Sequence, residues 1–218
     1  MKLVVASLNY SSWSARAWLA LTHAGVDFDT ERIGLFVDED WREQVEAYSG
    51  AGMVPVLVDG ELLIHESLAI GEYVNELFPE AGLWPEAREE RALARAFSAE
   101  MASSFRALRM SCPMNYRGRA RGFEPDEDTA RDVARVVQIF ESCRERAKGG
   151  PFLFGRFGIV DCMYMPVLSR FRTYWIELEG AAADYAVSMW DHPTVQAWAA
   201  VAEESPAVPH YDAMLEAG

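Results

Sequence analysis

The residues with the clearest chemical meaning lie between Val54 and Ser67. Val54-Pro55 precedes a short apolar run, and an Asp-Gly pair ends that run with a strong hairpin signal. Since proline cannot donate to a strand ladder, the backbone N–H and C=O of Val54 stay available for an extended peptide laid alongside. Glu66 and Ser67 then open a helix, whose first N–H groups and positive dipole end suit a carboxylate. The spacing predicts a site for a small zwitterionic peptide.

Composition excludes several classes of partner. The 218-residue chain has a formal net charge of −14 and is half apolar, which predicts a globular protein with a sizeable core. This charge, without a basic cluster, argues against nucleic acid and anionic membrane surfaces, because both would be repelled. The three widely spaced cysteines favour a reducing cytoplasm over a disulfide framework. The four histidines lack metal-ligand spacing, and no stretch is long enough to span a membrane, so neither a metal nor a membrane is expected.

Apolar periodicity indicates a mixed first part of the chain in the order β-α-β-α-β-β-α. The predicted elements are a strand at 2–8, a helix at Ser11–Ala24, a strand at Phe28–Ile33, a helix opened by Asp38-Glu39-Asp40, the hairpin after Val54, and a helix at Ser67–Phe78. Two serines, Ser11 and Ser12, thus lie at the turn between the first strand and the first helix.

The rest of the chain is predicted to be helical. Residues 80–86 read as a Pro- and Gly-containing linker, which divides the chain into a domain at 1–79 and a domain at 87–218. The helices predicted in the second domain are Arg88–Met110, Asp126–Lys148, Ile159–Leu178 and Thr194–Glu203. The fold class is therefore an α/β domain followed by an all-α domain.

Together, the hairpin with Glu66-Ser67 and the run Ser11-Ser12-Trp13-Ser14-Ala15-Arg16 resemble a known family. Over essentially its whole length the chain is similar to the cytosolic glutathione S-transferases, with a thioredoxin-like N-terminal domain and a helical C-terminal domain. The serine run resembles the active-site turn of serine-type bacterial members, of the zeta and theta-like classes. This resemblance implies an enzyme that conjugates the thiolate of glutathione to a small electrophile. It also implies that the protein is a homodimer in the cytoplasm.

Glutathione transfer needs a thiolate, whereas a free thiol has a pKa of about 8.5. Lowering that pKa by about 2 units takes roughly 2.7 kcal/mol. A helix N-terminus supplies up to about 2 kcal/mol, and a donated hydroxyl hydrogen bond about 1.5 to 3 kcal/mol. Ser11 is favoured as that donor by the zeta pattern, and Ser12 by its spacing from Arg16. Tyr10 is a third candidate, and an ordinary helix cap is the alternative explanation of the serines.

The resemblance also implies the residues that bind glutathione, with a cis peptide bond before Pro55. They are Trp13, Met53, Val54, Pro55, Glu66 and Ser67. Ser67 would meet the γ-glutamyl carboxylate while Glu66 faces the ammonium group. For the glycine carboxylate, Arg42 and Gln44 are candidates. Trp13 replaces the zeta-type cysteine, which disfavours maleylacetoacetate isomerisation but leaves serine-assisted thiolate formation intact.

In the second domain, residues are assigned to packing or to the co-substrate. Asp161 is predicted to cap the helix that begins near it, as a structural residue. Met110, Tyr116, Tyr174 and Trp175 are candidates for the second-substrate pocket, with plain core as the alternative. The basic residues near 109–121 either favour an acidic co-substrate or form a solvated turn.

Two further hypotheses stay open. The thiolate could serve an isomerase or a peroxidase, which differ from a transferase only in the co-substrate. Alternatively, the chain could be a non-catalytic ligand-binding or assembly relative of the fold, in which the serines only cap a helix.

Overall fold

The computed structural model describes residues 1–147 and 149–216, and its first part is a four-stranded mixed sheet flanked by helices. The strands are β1 (Lys2–Val5), β2 (Asp29–Arg32), β3 (Val56–Asp59) and β4 (Leu62–His65). Their order is β2-β1-β3-β4, with β1 parallel to β2 and antiparallel to β3. The helices are α1 (Ser12–His23), α2 (Trp41–Glu46) and α3 (Ser67–Leu77). The predicted β-α-β-α-β-β-α order is confirmed.

Alternation along the buried strands explains this layering. Leu3, Val5 and Leu57 point to the face that α1 and α3 cover, where they join the main hydrophobic core. Val4 and Val56 point to the opposite face and pack with residues of α2 and the loop before it. Since side chains of a strand alternate between faces, each apolar run supplies both layers.

The second part is helical, and a short 3-10 turn at Pro79–Ala81 precedes it. Its helices are α4 (Arg88–Ser103), α5 (Arg106–Ser111), α6 (Glu127–Arg146), α7 (Ile159–Tyr174), α8 (Gly180–Asp191), α9 (Pro193–Glu204) and α10 (Pro209–Glu216). Helix α7 is buried along nearly its whole length and packs against both α1 and α4, so it joins the two parts. The fold class is confirmed, while the linker bounds at 80–86 stay a prediction.

Several helix bounds differ from the predicted ones. The helix predicted at Arg88–Met110 is two helices, because Ser104 is extended and the buried Phe105 takes a left-handed conformation that turns the chain. The helix predicted at Ile159–Leu178 ends at Tyr174, where Trp175 is left-handed. Asp126 is the cap of α6, which ends at Arg146, and the predicted end at Lys148 lies outside the described residues.

Helices α8 and α10 were not predicted. An alanine-rich segment and a short C-terminal segment carry little periodicity, and packing against the core decides their structure. The strand predicted at 2–8 ends at Val5, because the chain turns there and the backbone N–H groups of Tyr10 and Ser11 donate to the Ser7 carbonyl.

Candidate active site

A cleft of about 580 Å³ opens between the sheet domain and the helical domain. Its floor is the turn after β1 with the start of α1, and its sides are the β2–α2 loop, the segment before β3 and the end of β4. The helical domain closes it with residues of α5, of α7 and of the segment leading into α10. The carboxyl ends of the parallel strands β1 and β2 therefore meet a helix N-terminus, which is a common place for ligands in open α/β sheets.

The N-terminus of α1 faces this cleft. Ser11 is the N-cap: its Oγ accepts from the backbone N–H of Ser14 at 3.2 Å and lies 3.0 Å from Ser14 Oγ. The Oγ of Ser14 also accepts from the backbone N–H of Ala6, at 3.0 Å. Ser12 lines the cleft as well, and its hydroxyl has no hydrogen-bond partner among the described residues. The capping explanation of Ser11 is right, and it leaves room for a ligand-binding role.

Tyr10 also lines the cleft, but its hydroxyl is already engaged. It donates to Asp212 Oδ1 at 2.8 Å, and it accepts from Arg117 at 3.2 Å and from the Val208 N–H at 3.1 Å. The Tyr10 ring stacks on Tyr211, with the ring centroids 5.2 Å apart. The geometry therefore ties Tyr10 to the C-terminal segment and gives it no free proton for a ligand.

The predicted peptide-binding residues gather on the opposite side of the cleft. Met53, Val54, Pro55 and Glu66 line it, and the Val54–Pro55 peptide bond is cis, as the resemblance implies. Val54 precedes β3 and makes no backbone hydrogen bond to another described residue, so its N–H and C=O can pair with a peptide. Trp13 lines the cleft from α1.

Ser67, the first residue of α3, follows Glu66 in the chain but is not itself among the residues that line the cleft. It is 3% exposed, and its buried Oγ has no hydrogen-bond partner among the described residues. A buried hydroxyl without a partner costs free energy, and a ligand carboxylate at the N-terminus of α3 would supply an acceptor.

The two candidates for the glycine carboxylate do not line the cleft. Arg42 stacks on Trp41, and Gln44 donates to Asp40 on the surface. Arg32 at the end of β2 lines the cleft instead, and it has no ion pair among the described residues. A basic residue at the carboxyl end of a parallel strand was the sequence signal that could have found it.

Two arginines form the inner wall. Arg170 is 5% exposed, and its partners are the carbonyls of Cys112 and Pro166. Arg109 donates to the carbonyls of Ser104, Met101 and Ala102, and burial lowers its pKa. Burial, followed by repulsion from Arg109, lowers the pKa of Arg170 to about 10.

A third arginine, Arg16, lies beneath this wall and is completely buried. Its Nε donates to the Met163 carbonyl, its guanidinium packs on the Trp13 ring, and its two Nη atoms have no partner among the described residues. Burial, then the charges of Arg109 and Arg170, lower its pKa. Within the described part of the chain, none of these three arginines has a carboxylate partner, so this end of the cleft favours an anion.

The residues predicted for the second-substrate pocket are placed elsewhere. Met110 is 73% exposed, and Trp175 is 55% exposed with Arg121 over its ring. Tyr116 packs against Trp198, and its place in this aromatic cluster corresponds to the core alternative. Tyr174 is buried and donates to the Pro113 carbonyl. None of the four lines the cleft. The helix break at Phe105 redirects the segment of Met110, and the left-handed Trp175 lies just beyond the end of α7.

Apolar residues from two other segments line the cleft instead. Phe36 and Trp41 come from the β2–α2 loop, and Val208 and Tyr211 come from the C-terminal segment. The rings of Phe36 and Tyr211 meet edge to face, 6.1 Å apart, across the mouth of the cleft. No sequence signal pointed to this contact, because it joins residues far apart in the chain.

Asp161 lies away from the cleft and is fully buried at the start of α7. Its carboxylate accepts from the backbone N–H groups of Leu153 at 3.1 Å and Gly158 at 2.9 Å. Burial raises its pKa to about 7. The contacts are those of a structural cap.

Two kinds of feature are absent from the described residues. Within them, no group of three or more His, Cys, Asp or Glu side chains is arranged to hold a metal ion. Among the helices described, none is long and apolar enough to cross a membrane.

Known proteins match both parts of the chain. Residues 10–77 match the family model of the glutathione S-transferase N-terminal domain, and residues 126–200 match that of the C-terminal domain. The chain is 30% identical over 169 residues to glutathione S-transferase 1 of Dianthus caryophyllus, covering 76% of this chain and 75% of that protein. It is 24% identical to a probable maleylacetoacetate isomerase of Vibrio cholerae, covering 95% and 94% of the two chains.

Solved structures agree on the fold. A maleyl pyruvate isomerase, described as a bacterial zeta-class protein, superposes with a TM-score of 0.74 at 21% identity, covering 95% of this chain and 100% of that one. A glutathione transferase homologue from Burkholderia, solved with bound glutathione, gives a TM-score of 0.70 at 23% identity, covering 94% and 98%.

Proposed function

The chain belongs to the glutathione S-transferase family, and from that premise we propose how it binds glutathione and activates the sulfur. Family membership supports a glutathione-dependent transferase or isomerase. The roles of individual residues are our proposal, and the observation that carries it is the set of unpartnered polar groups in and beside one cleft.

Glutathione lies along the segment before β3. The free N–H and C=O of Val54 pair with its backbone, as in the addition of a strand to a sheet edge. The γ-glutamyl carboxylate accepts from the orphaned hydroxyl of Ser67 and from the N-terminus of α3. Glu66, exposed at the cleft, faces the ammonium group, and Arg32 faces the glycine carboxylate.

The sulfur lies at the N-terminus of α1, beside Ser11 and Ser12. The first turn of α1 contains no acidic side chain, so its N–H groups and dipole act on the ligand. One serine hydroxyl also donates to the sulfur. Together, the helix N-terminus and this hydrogen bond supply the roughly 2.7 kcal/mol that lowering the thiol pKa by about 2 units requires. The thiol proton leaves to solvent and the thiolate remains.

Conjugation then needs only a positioned electrophile. The thiolate attacks an electrophilic carbon, a C–S bond forms, and the bond from that carbon to its leaving group breaks with the electron pair on the leaving group. Holding both reactants in one cleft supplies the entropic part of the acceleration.

We propose that the electrophile carries an acidic group. Arg109 and Arg170 lie on the inner wall and donate to carbonyls only, so a ligand carboxylate would neutralise one half-buried and one buried charge. The outer wall, with Phe36, Val208 and Tyr211, suits the apolar part of the same molecule.

The same wall supports a second candidate, a glutathione-dependent isomerase. The thiolate would add to the double bond of an unsaturated acid, the resulting single bond would rotate, and elimination would return the thiolate and the isomerised double bond. The Vibrio cholerae relative is named a probable maleylacetoacetate isomerase, and the two arginines suit an acidic substrate. Trp13 in place of the zeta-type cysteine is the point against it.

Calorimetry and kinetics test the proposal. Glutathione binding is measured first, and then conjugation of chlorodinitrobenzene and of its carboxylate-bearing analogue. We expect binding, and turnover that favours the carboxylate-bearing compound. Arg170→Lys should reduce that preference about tenfold or more, since Lys lacks the bidentate geometry. Arg172→Gln is the matched control, because Arg172 is on the same helix but packs on Tyr116.

Three results would count against parts of the proposal. Absence of glutathione binding would overturn it entirely. Binding without turnover across a broad electrophile panel would favour a non-catalytic relative. Equal turnover of the two electrophiles in wild type would remove the acidic-substrate part. The homodimer and the cytoplasmic location remain predictions from the family, and sedimentation of the purified chain tests the first.

A further inference from the structure

Ser14, in the first turn of α1, has a hydroxyl with an unusual set of neighbours. The residue is 0% exposed. Its Oγ accepts from the Ala6 N–H at 3.0 Å and lies 3.0 Å from Ser11 Oγ. Among the described residues, no carbonyl or carboxylate is placed to accept the proton of Ser14. The Ser11 oxygen is thus its one acceptor.

The direction of the hydrogen bond between the two hydroxyls follows from this burial. A hydroxyl has one proton and two lone pairs, and rotates to suit its neighbours. If Ser14 donates to Ser11, every polar group around Ser14 is satisfied. If Ser11 donates to Ser14, the proton of Ser14 is buried without an acceptor, which is the costly arrangement. The first direction is therefore favoured.

Ser11 then has no lone pair to spare. Its Oγ accepts from the Ser14 N–H and from the Ser14 hydroxyl, which uses both lone pairs. Toward a ligand, the Ser11 hydroxyl can therefore act only as a donor. Ser11 is half-buried and lines the cleft, so its proton points toward the cleft. Ser12 differs, because its hydroxyl has no partner among the described residues and can rotate to donate or accept.

We propose that Ser14 is a positioning residue that makes Ser11 an obligate hydrogen-bond donor to the sulfur of the ligand. This inference rests on the proposed function, since it needs glutathione sulfur at the N-terminus of α1. A thiolate accepts the proton of Ser11, whereas a neutral thiol finds no acceptor in Ser11 for its own S–H. Ser14 thereby favours the thiolate through a donor oriented in advance, and it selects Ser11 over Ser12.

The test is the pKa of the thiol of bound glutathione, followed by the ultraviolet absorbance of the thiolate against pH. We expect Ser11→Ala to raise that pKa by about one unit or more, a roughly tenfold loss of thiolate at fixed pH below the pKa. Ser14→Ala should give a smaller but measurable rise, because Ser11 keeps its proton while its hydroxyl becomes free to accept as well as donate. In the double variant the rise should not exceed that of Ser11→Ala, because Ser14 acts through Ser11.

Stability is separated from positioning by further variants. Ser14→Ala leaves the Ala6 N–H unpaired, so Ser14→Cys, which keeps the size and a weak S–H donor, decides the question if the alanine variant does not fold. We expect an intermediate pKa from it. Ser98→Ala removes another fully buried hydroxyl, on α4 and away from the cleft, and should leave the thiol pKa unchanged.

The outcomes distinguish this inference from the proposed function. A wild-type pKa in folded Ser14→Ala or Ser14→Cys overturns the role of Ser14, as does a double variant that exceeds Ser11→Ala. If Ser12→Ala raises the pKa more than Ser11→Ala, the inference fails while serine-assisted activation stands. If neither serine variant changes the pKa, the proposed activation itself fails.

Discussion

Two helix N-termini in this chain are built from similar parts and have opposite uses. At α7, the Asp161 carboxylate takes the N–H groups of Leu153 and Gly158, and the whole turn is buried. At α1, Ser11 provides a neutral cap, the first turn has no acidic residue, and the end opens into the cleft.

The difference shows how a helix end becomes a binding site. Both ends present the same N–H groups and the same positive dipole. At α7 a buried carboxylate of the chain occupies the helix end and ties the N-cap to the preceding loop, so this end serves as a joint between segments. Where the chain supplies only hydroxyls, attraction for an anion remains. The identity of the capping group therefore decides whether a helix end stabilises the fold or binds a ligand.

The largest effect is expected from removing the carboxylate at the N-terminus of α7. Asp161→Ala leaves two buried backbone donors without acceptors, at about 1–3 kcal/mol each, so we expect little soluble protein and a much lower melting temperature. Asp126→Ala, at the exposed cap of α6, is the control and should cost about 1 kcal/mol. A well-folded Asp161→Ala protein without activity would contradict the structural role.

A third helix N-terminus, that of α3, is proposed to bind the ligand. Removing its hydroxyl should affect binding rather than folding. Ser67→Ala removes a hydroxyl proposed to donate to a carboxylate, which is worth about 1.5 to 3 kcal/mol. We expect glutathione affinity by calorimetry to fall roughly 10- to 100-fold, with a nearly unchanged melting temperature. Ser98→Ala, another unpartnered buried hydroxyl, should change neither value. Wild-type affinity in Ser67→Ala would remove Ser67 from the site.

A smaller effect is expected from a change at Tyr10, which links the segment before α1 to the C-terminal segment. Tyr10→Phe removes the bonds to Asp212 and Val208, so amide hydrogen exchange across residues 206–212 should become faster. The thiol pKa of bound glutathione should not change, since Tyr10 has no free proton for the sulfur. Tyr211→Phe is the control, because its hydroxyl makes no hydrogen bond to another described residue. A raised thiol pKa in Tyr10→Phe would restore Tyr10 as a sulfur donor.

The smallest effect concerns the other end of α1, where His23 packs against Phe157 and His192. Burial, then His192 and Arg156, lower the pKa of His23 to about 4, below its usual 6.5. The unfolded chain therefore binds a proton more readily, so the contribution of His23 to stability is complete above about pH 6.5 and is lost as the pH falls toward 4.

Urea unfolding across that pH range measures this contribution. His23→Gln should flatten the fall in stability, and His210→Gln, at an exposed position, should not. An unchanged slope in His23→Gln would show that other groups carry the pH dependence.

The side of the cleft that is proposed to bind the peptide could be predicted, because its sequence signals are local. The proline before β3 and the Glu-Ser pair at α3 lie close together in sequence, and their spacing reflects backbone hydrogen bonding over a few residues. The residues that line the opposite side could not be predicted. Met110 and Trp175 have helical spacing, but left-handed residues at Phe105 and Trp175 end the helices, and burial of Phe105 in the core favours the first of these breaks.

By itself, the sequence determined the order of the elements, the α/β-then-helical class and the segments that carry the site, because periodicity, turn residues and capping act between near neighbours. Only the tertiary structure decided which hydroxyls remain free, since Tyr10 is engaged by Asp212 and Arg117 from distant segments. It also decided that Arg109 and Arg170 meet on one wall. These properties depend on the contacts and burial that arise when distant segments pack, and spacing along the chain does not encode them.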